Sequence, residues 1–194
     1  MVVKELFAAF NADFFRALAT LIIPGSIALS TWAVDLALRF EQLRALVSSN
    51  HIETAFVLFL LVVFVGLVIE DIGSRIEARM DGRADRATNG QHTKDWYLYL
   101  KTAFVCEAIG RRYIRTLVTR LKFELGTSVG LLIADMGVVV LYVDGFLSLW
   151  ALIVPLALTF VLAGYLGLVE ARSSHRLLAK ARTEMLGDIR IVKG

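Results

Sequence analysis

Four long apolar stretches constrain the fold of this chain more than any other feature of its sequence. They cover residues 17–38, 52–69, 125–143 and 145–169, nearly half of the protein. A helix needs roughly 20 apolar residues to cross the hydrocarbon core of a bilayer, so each stretch is about long enough for one span. The apolar residues are continuous rather than alternating with a period of two, which favours helices over barrel strands. The sequence therefore predicts an all-α integral membrane protein with four transmembrane helices.

The remaining residues divide the chain into four parts of one structural domain. The parts are an N-terminal interfacial helix with the first two spans, a helical cytosolic insert, a transmembrane hairpin and a helical cytosolic tail, over residues 1–72, 73–124, 125–170 and 171–194. Asp-Gly and Asn-Gly pairs predict a loop over 81–93, before a long helix over 94–123. A short external loop is expected over 39–51, and Gly187 is expected to end the tail helix.

The distribution of Lys and Arg predicts which side of the membrane each loop faces. The 39–51 loop holds only Arg39 and Arg44, and the turn at Asp144 and Gly145 holds none. The other basic residues lie in the insert, the tail and the N-terminal segment. By the positive-inside rule, both termini and the insert are expected to face the cytoplasm. The expected location is a bacterial inner membrane.

Residue types that commonly bind metals or carry catalysis are sparse in this sequence. Cys106 is the only cysteine, which excludes an intrachain disulfide and thiolate clusters. His51, His92 and His175 lie in three different segments, so a histidine-based metal site is not expected. No P-loop, G-x-S-x-G, H-E-x-x-H or dinucleotide-binding pattern occurs. The sequence therefore predicts no cofactor, no metal and no catalytic residue.

One acidic residue, Asp135, lies near the middle of the third apolar stretch. A charged side chain there costs at least about 2.5–3.5 kcal/mol on insertion scales, so it is expected to face protein or water rather than lipid. One interpretation is a proton or ion site, or part of a pore lining. The other is an aspartate that ties helices together through Thr127, Ser128 or Ser148.

Small residues form a second pattern in the last two spans. The set predicted to pack against neighbouring helices is Gly126, Gly130, Gly137, Gly164 and Gly167. Glycines at such spacing let helix backbones approach closely. The sequence leaves open whether the neighbouring helix belongs to the same chain or to a second copy.

Charged residues of both signs cluster where the spans are expected to meet the cytosol. We expect an ion-pair network among Glu70, Asp71, Glu77, Glu124, Glu170, Arg75, Arg79, Arg120 and Arg172. An alternative is a carboxylate site for a divalent metal, formed where the second and fourth spans end by Glu70, Asp71 and Glu170.

A further basic group lies along one stripe of the insert and comprises Arg111, Arg112, Arg115 and Lys122. Basic residues beside a membrane attract anionic lipid at about 1 kcal/mol per charge, so anionic headgroups are the expected partner. A nucleotide or an acidic soluble protein is the alternative. A net charge of only +3 and the lack of a recognition motif argue against direct nucleic-acid binding.

In helix number, size and topology the chain is similar to the short four-helix membrane subunits of bacterial anti-phage systems such as Kiwa, and to membrane-acting CBASS effectors. The resemblance carries over no functional residues. It implies a non-enzymatic homo-oligomer that couples a cytosolic signal or soluble partner to the membrane, as a sensor, an effector or a pore. The alternatives are a lipid-handling enzyme using the cytosolic-face carboxylates, a small channel or transporter using Asp135, and a scaffold for a cytosolic partner.

Overall fold

A computed structural model describes the backbone of Arg16 and of residues 18–101 and 109–192, and these residues are helical apart from short turns. The α-helices are α1 (Ile23–Arg39), α2 (Glu41–Ser49), α3 (His51–Ala87), α4 (Gln91–Lys101), α5 (Ile109–Val143), α6 (Leu149–Gly164) and α7 (Ala171–Val192). A π-helical turn, Leu18–Ile22, precedes α1, and a second, Tyr165–Glu170, joins α6 to α7 without a break. The predicted interfacial helix over 1–15 lies outside the described residues.

Four helical runs are long and apolar enough to cross a membrane, the number that the sequence predicts. They are Leu18–Arg39, His51–Ala87, Tyr113–Val143 and Leu149–Glu184. Large apolar side chains cover the outside of the bundle, among them Phe56, Phe64, Trp150 and Phe160, each more than half exposed. A water-soluble domain buries such side chains, whereas a bilayer solvates them.

Three predicted boundaries are wrong. Residues 41–49 form helix α2 rather than an open loop, because Gln42, Arg44 and Ala45 favour helix and no Gly or Pro interrupts them. Helix α3 continues through the predicted loop to Ala87, so only Thr88–Gly90 forms a turn. The tail helix runs past Gly187 to Val192.

Helix α5 lies at the centre of the bundle and contacts the other three spans. Thr31 on α1 donates a hydrogen bond from Oγ1 to the Ala134 carbonyl at 2.9 Å, and Trp32 Nε1 donates to the Ile133 carbonyl at 3.1 Å. On the opposite side, Ser128 Oγ donates to the Ala163 carbonyl of α6 at 2.8 Å. These side-chain bonds to backbone carbonyls fix the register of α1 and α6 against α5.

Helix α3 is much longer than a bilayer is thick. Its 37 residues span about 55 Å, compared with about 30 Å for the hydrocarbon core. The charged half of α3 therefore projects beyond the apolar part, together with the start of α5 and all of α7. We call this end of the bundle the head, and it comprises residues 70–101, 109–125 and 170–192.

The head has its own apolar core. Buried side chains of α5 and α7 form it, with half-buried neighbours from α3 and α4, and the buried members are Ile114, Leu117, Leu121, Leu125, Ala171 and Leu178. Helix α4 packs against both α3 and α7. The head is therefore a packed four-helix unit, three of whose helices continue into the apolar part.

Candidate functional site

Two histidines from distant parts of the chain converge on one carboxylate in the head. His92 Nε2 lies 3.0 Å from Asp81 Oδ1, and His175 Nε2 lies 2.8 Å from the same oxygen. Asp81 is on α3, His92 is in the first turn of α4, and His175 is near the start of α7. The expectation that the histidines lie apart is therefore wrong for His92 and His175.

The turn between α3 and α4 places His92. Asn89 and Gly90 both have positive φ, at 51° and 80°, which reverses the chain so that α4 runs back along α3. Two side chains cap the new helix: Thr88 Oγ1 accepts from the His92 backbone N–H at 3.2 Å, and Asp85 Oδ1 accepts from Thr93 N–H at 3.0 Å. These caps hold His92 at a fixed distance from Asp81.

The buried stripe of α7 places His175. Ala171, His175, Leu178 and Arg182 follow at helical spacing and are each less than a tenth exposed. Ala171 and Leu178 pack into the core of the head, so His175 is held between two fixed contacts. The site therefore rests on three helices that the core already positions.

The site is closed around the rings and open at the carboxylate. Each histidine side chain is 10% exposed, whereas that of Asp81 is 42% exposed. An ionised carboxylate oxygen only accepts hydrogen bonds, so both rings bond Asp81 through Nε2–H. All three ligand atoms lie within 4.8 Å of one another, which makes this the group of described side chains best placed to hold a metal ion.

The site lies about 18 Å along α3 beyond the end of the second apolar stretch, 52–69. Burial and neighbouring charges shift the pKa values of the residues at and around it. Burial alone would raise the pKa of Asp81, but the hydrogen bonds from His175 and His92 outweigh it and lower that pKa. Glu77, one turn earlier, has a raised pKa because of burial and the charge of Asp81. Burial lowers the pKa of Arg182, whose guanidinium carbon lies 4.0 Å from the centre of the Trp96 ring.

A belt of ion pairs lies at the end of the head that meets the apolar part. Lys122 on α5 bonds Glu70 on α3 at 2.6 Å. Arg120, also on α5, bonds Glu124 and Glu170, each at 2.7 Å. We call these five residues the ionic belt, and they join α5 to α3 and to Glu170 at the end of the π-helical segment.

The remaining members of the predicted network lie outside the ionic belt. Asp71 pairs with Arg75 on the exposed side of α3 at 2.8 Å, and Arg79 and Arg172 are exposed. The alternative metal site of Glu70, Asp71 and Glu170 is not assembled among the described residues, where the one group with three converging ligand atoms is the Asp81 site.

The predicted lipid-contact group is divided by the structure. Arg115 is exposed on α5, whereas Lys122 belongs to the ionic belt. The side chains of Arg111 and Arg112 lie outside the described residues.

Asp135 is 8% exposed and faces α6, where the Thr159 hydroxyl bonds its Oδ1. The partner is therefore Thr159 and not Thr127, Ser128 or Ser148. Ser148 instead caps α6 by accepting from the Ala151 backbone N–H. The other oxygen of Asp135, Oδ2, is buried with no hydrogen-bond partner among the described residues.

The predicted glycines of α5 face other helices of the same chain. A Cβ added at Gly130 would lie 2.7 Å from the Pro24 carbonyl oxygen, and one at Gly126 would lie 3.2 Å from Pro24 Cγ. Gly137 meets Thr31 in the same contact. Beyond α6, Gly167 approaches Ser128, whereas Gly164 has no atom within 4 Å of an added Cβ.

A second charged group, at the end opposite the head, is one that the sequence analysis missed. Arg39 Nε donates to both Asp35 oxygens at 2.9 Å, and its other end pairs with Asp144 in the turn before α6. Asp35 is only 4% exposed. The i, i+4 spacing of Asp35 and Arg39 was the available signal, but nothing local points to Asp144.

Comparison of the chain with protein-family models, with curated proteins and with solved structures gives no match.

Proposed function

We propose that this chain is a non-enzymatic, homo-oligomeric membrane subunit whose head receives a cytosolic ligand or soluble partner and transmits that event to the spans. The observation that carries the proposal is the continuity of the helices. Helices α3 and α5, and the run from α6 through α7, pass from the apolar part into the head without interruption. A displacement of α3, α5 or α7 in the head therefore moves the end of a span.

The junction between head and spans has the features of a coupling element. The ionic belt ties α5 to α3 and to Glu170 at the end of the π-helical segment. Tyr165, at the other end of that segment, donates its hydroxyl to Glu170 at 2.5 Å. Single π-helical turns inside α-helices are found frequently at functional sites.

The surface of the apolar part limits where copies of the chain can meet. The α5 glycines already pack against α1, so a contact between copies would use the outward faces of α3 and α6. Without a glycine seam, we expect such a contact to rest on large side chains such as Phe64 and Phe160 and to be sensitive to lipid.

The alternatives gain less support from this geometry. A lipid-handling enzyme would need free carboxylates at the junction, but Glu70, Glu124 and Glu170 are paired with Lys122 or Arg120. A channel working through Asp135 would need that side chain to line a water path, whereas it faces Thr159 within the chain. An anchoring scaffold would need no continuity between head and spans.

Hydrogen exchange in the intact chain, embedded in nanodiscs, tests the coupling. The change is Leu178→Ala, which removes a side chain that is 1% exposed from the core of the head. The matched control is Leu177→Ala, because the neighbouring residue on α7 is 42% exposed. We expect Leu178→Ala to accelerate exchange in the head and also in 162–170, and Leu177→Ala to leave both unchanged. Acceleration confined to the head would contradict coupling and favour the scaffold.

A further inference from the structure

We propose that Asp81, His92 and His175 form a binding site for one divalent first-row transition-metal ion, with Zn²⁺ as the reference ion. Binding at this site is independent of the function proposed above. A role for the bound ion as the cytosolic signal rests on that function.

The spacing of the ligand atoms suits a metal. With bonds of about 2.0–2.2 Å, two ligands of a tetrahedral Zn²⁺ lie about 3.3–3.6 Å apart. The Asp81 oxygen already lies 3.0 Å from His92 Nε2 and 2.8 Å from His175 Nε2. All three ligand atoms lie within 4.8 Å of one another, so side-chain rotations can bring them to these distances. On binding, each neutral imidazole would carry its proton on Nδ1 instead of Nε2, which frees the Nε2 lone pair for the ion.

The orientation of the rings also favours convergence on one point. The ring centroids of His92 and His175 are 5.7 Å apart and the planes are tilted by 31°. The rings therefore do not stack on each other, and both direct Nε2 to the same carboxylate oxygen. Since the three ligands come from α3, α4 and α7, a bound ion would hold these three helices together. Helix α7 continues from α6 through the π-helical segment, so the ion would also restrain the end of that span.

The ligand types select the class of ion. Imidazole suits Zn²⁺, Fe²⁺, Co²⁺ and Ni²⁺, whereas Mg²⁺ and Ca²⁺ take oxygen ligands. Two histidines and one carboxylate leave at least one coordination position unfilled. The exposed side of Asp81 gives that position access to solvent, so water or an external donor would complete the shell.

The charge around the site is compatible with a cation. A histidine that binds a metal is neutral, so the three ligands of a bound ion would carry one negative charge, that of Asp81. Glu77 lies one turn away on the same helix. The positive charge of Arg182 disfavours the binding of a cation, but the Arg182 guanidinium lies over the Trp96 ring.

Metal titration of the full chain tests the site. The tag-free protein in nanodiscs, carrying Cys106→Ser to remove the only thiol, is stripped with chelator and titrated with Zn²⁺ by calorimetry. Co²⁺ is added separately as a spectroscopic probe of coordination. The site variants are His92→Ala, His175→Ala and Asp81→Asn, the last of which keeps an oxygen acceptor and the shape. His51→Ala is the matched control, since His51 is exposed at the opposite end of α3.

We expect one Zn²⁺ per chain, no binding of Mg²⁺, and an affinity at least about tenfold weaker in each site variant that remains folded. The His51→Ala variant should bind Zn²⁺ like the parent. The proposal is overturned if the parent binds no Zn²⁺, or if Asp81→Asn and His51→Ala bind it equally. The cluster is then a hydrogen-bonded tie between helices. Neither of those results decides the coupling between head and spans, which the hydrogen-exchange experiment tests independently.

Discussion

Replacing Gly130 with alanine tests the close contact between α1 and α5 on which the centre of the bundle depends. The added Cβ would lie 2.7 Å from the Pro24 carbonyl oxygen, although ordinary contacts begin near 3.4 Å. Neither atom belongs to a flexible side chain, so the helices must separate by about 0.7 Å.

Separating the two helices weakens dispersion contacts and one hydrogen bond, and the loss in the free energy of unfolding can be estimated from these. A gap of 0.5–1 Å forfeits about a quarter to a half of each dispersion contact across it, and overpacking costs about 1–3 kcal/mol. The bond from Thr31 to the Ala134 carbonyl would lengthen from 2.9 to about 3.6 Å, which loses about 1 kcal/mol. Alanine regains about 1 kcal/mol of helix propensity. The expected net loss in the free energy of unfolding is therefore about 1–3 kcal/mol.

Thermal unfolding in one detergent at one scan rate measures this loss. Trp32 spans the contact and bonds the Ile133 carbonyl, so its fluorescence reports the opening of α1 from α5 when Trp96 and Trp150 are replaced by Phe in the parent and in both variants. Gly164→Ala is the matched control, because an added Cβ there meets nothing within 4 Å. We expect Gly130→Ala to lower the melting temperature and Gly164→Ala not to lower it. Equal melting of Gly130→Ala and the parent would refute the reasoning.

Three further predictions test other parts of the structure by the same melting assay. Thr159→Val should cost about 1–3 kcal/mol, since it leaves the buried Asp135 without its partner, and an unchanged melt would contradict that pairing. Lys122→Glu should destabilise by about 1 kcal/mol, and the swap with Glu70→Lys should restore most of it; failure of the swap would argue against a specific pair. Gly90→Ala should cost about 1 kcal/mol because φ is 80°, whereas Gly82→Ala in a helix should not destabilise, and equal effects would refute the turn geometry.

The sequence was informative about the spans because hydropathy is a local property. A run of roughly 20 apolar residues has few alternatives to a helix in lipid, whatever its neighbours are. The head was harder to predict, since its boundaries depend on packing. Gly82 and the Asp-Gly pair read as a turn, but the surrounding Ala and Arg residues favour helix and α3 continues to Ala87.

The candidate site was not predictable from the sequence, because its ligands meet only through the tertiary fold. Asp81 and His175 are 94 positions apart, and no spacing rule relates residues on α3 and α7. His92 follows Asp81 by 11 positions, but the two meet only because Asn89 and Gly90 adopt positive φ. The partner of Asp135 was missed for the same reason, since several hydroxyl groups of the last two spans were available and the helix register selects Thr159.

The native mass of the full chain in nanodiscs tests the proposed membrane subunit most directly. We expect a discrete assembly of two or more copies that is weakened by Phe64→Ala and Phe160→Ala on the outward faces. A single copy at all protein concentrations, with the chain folded, would contradict a homo-oligomeric subunit.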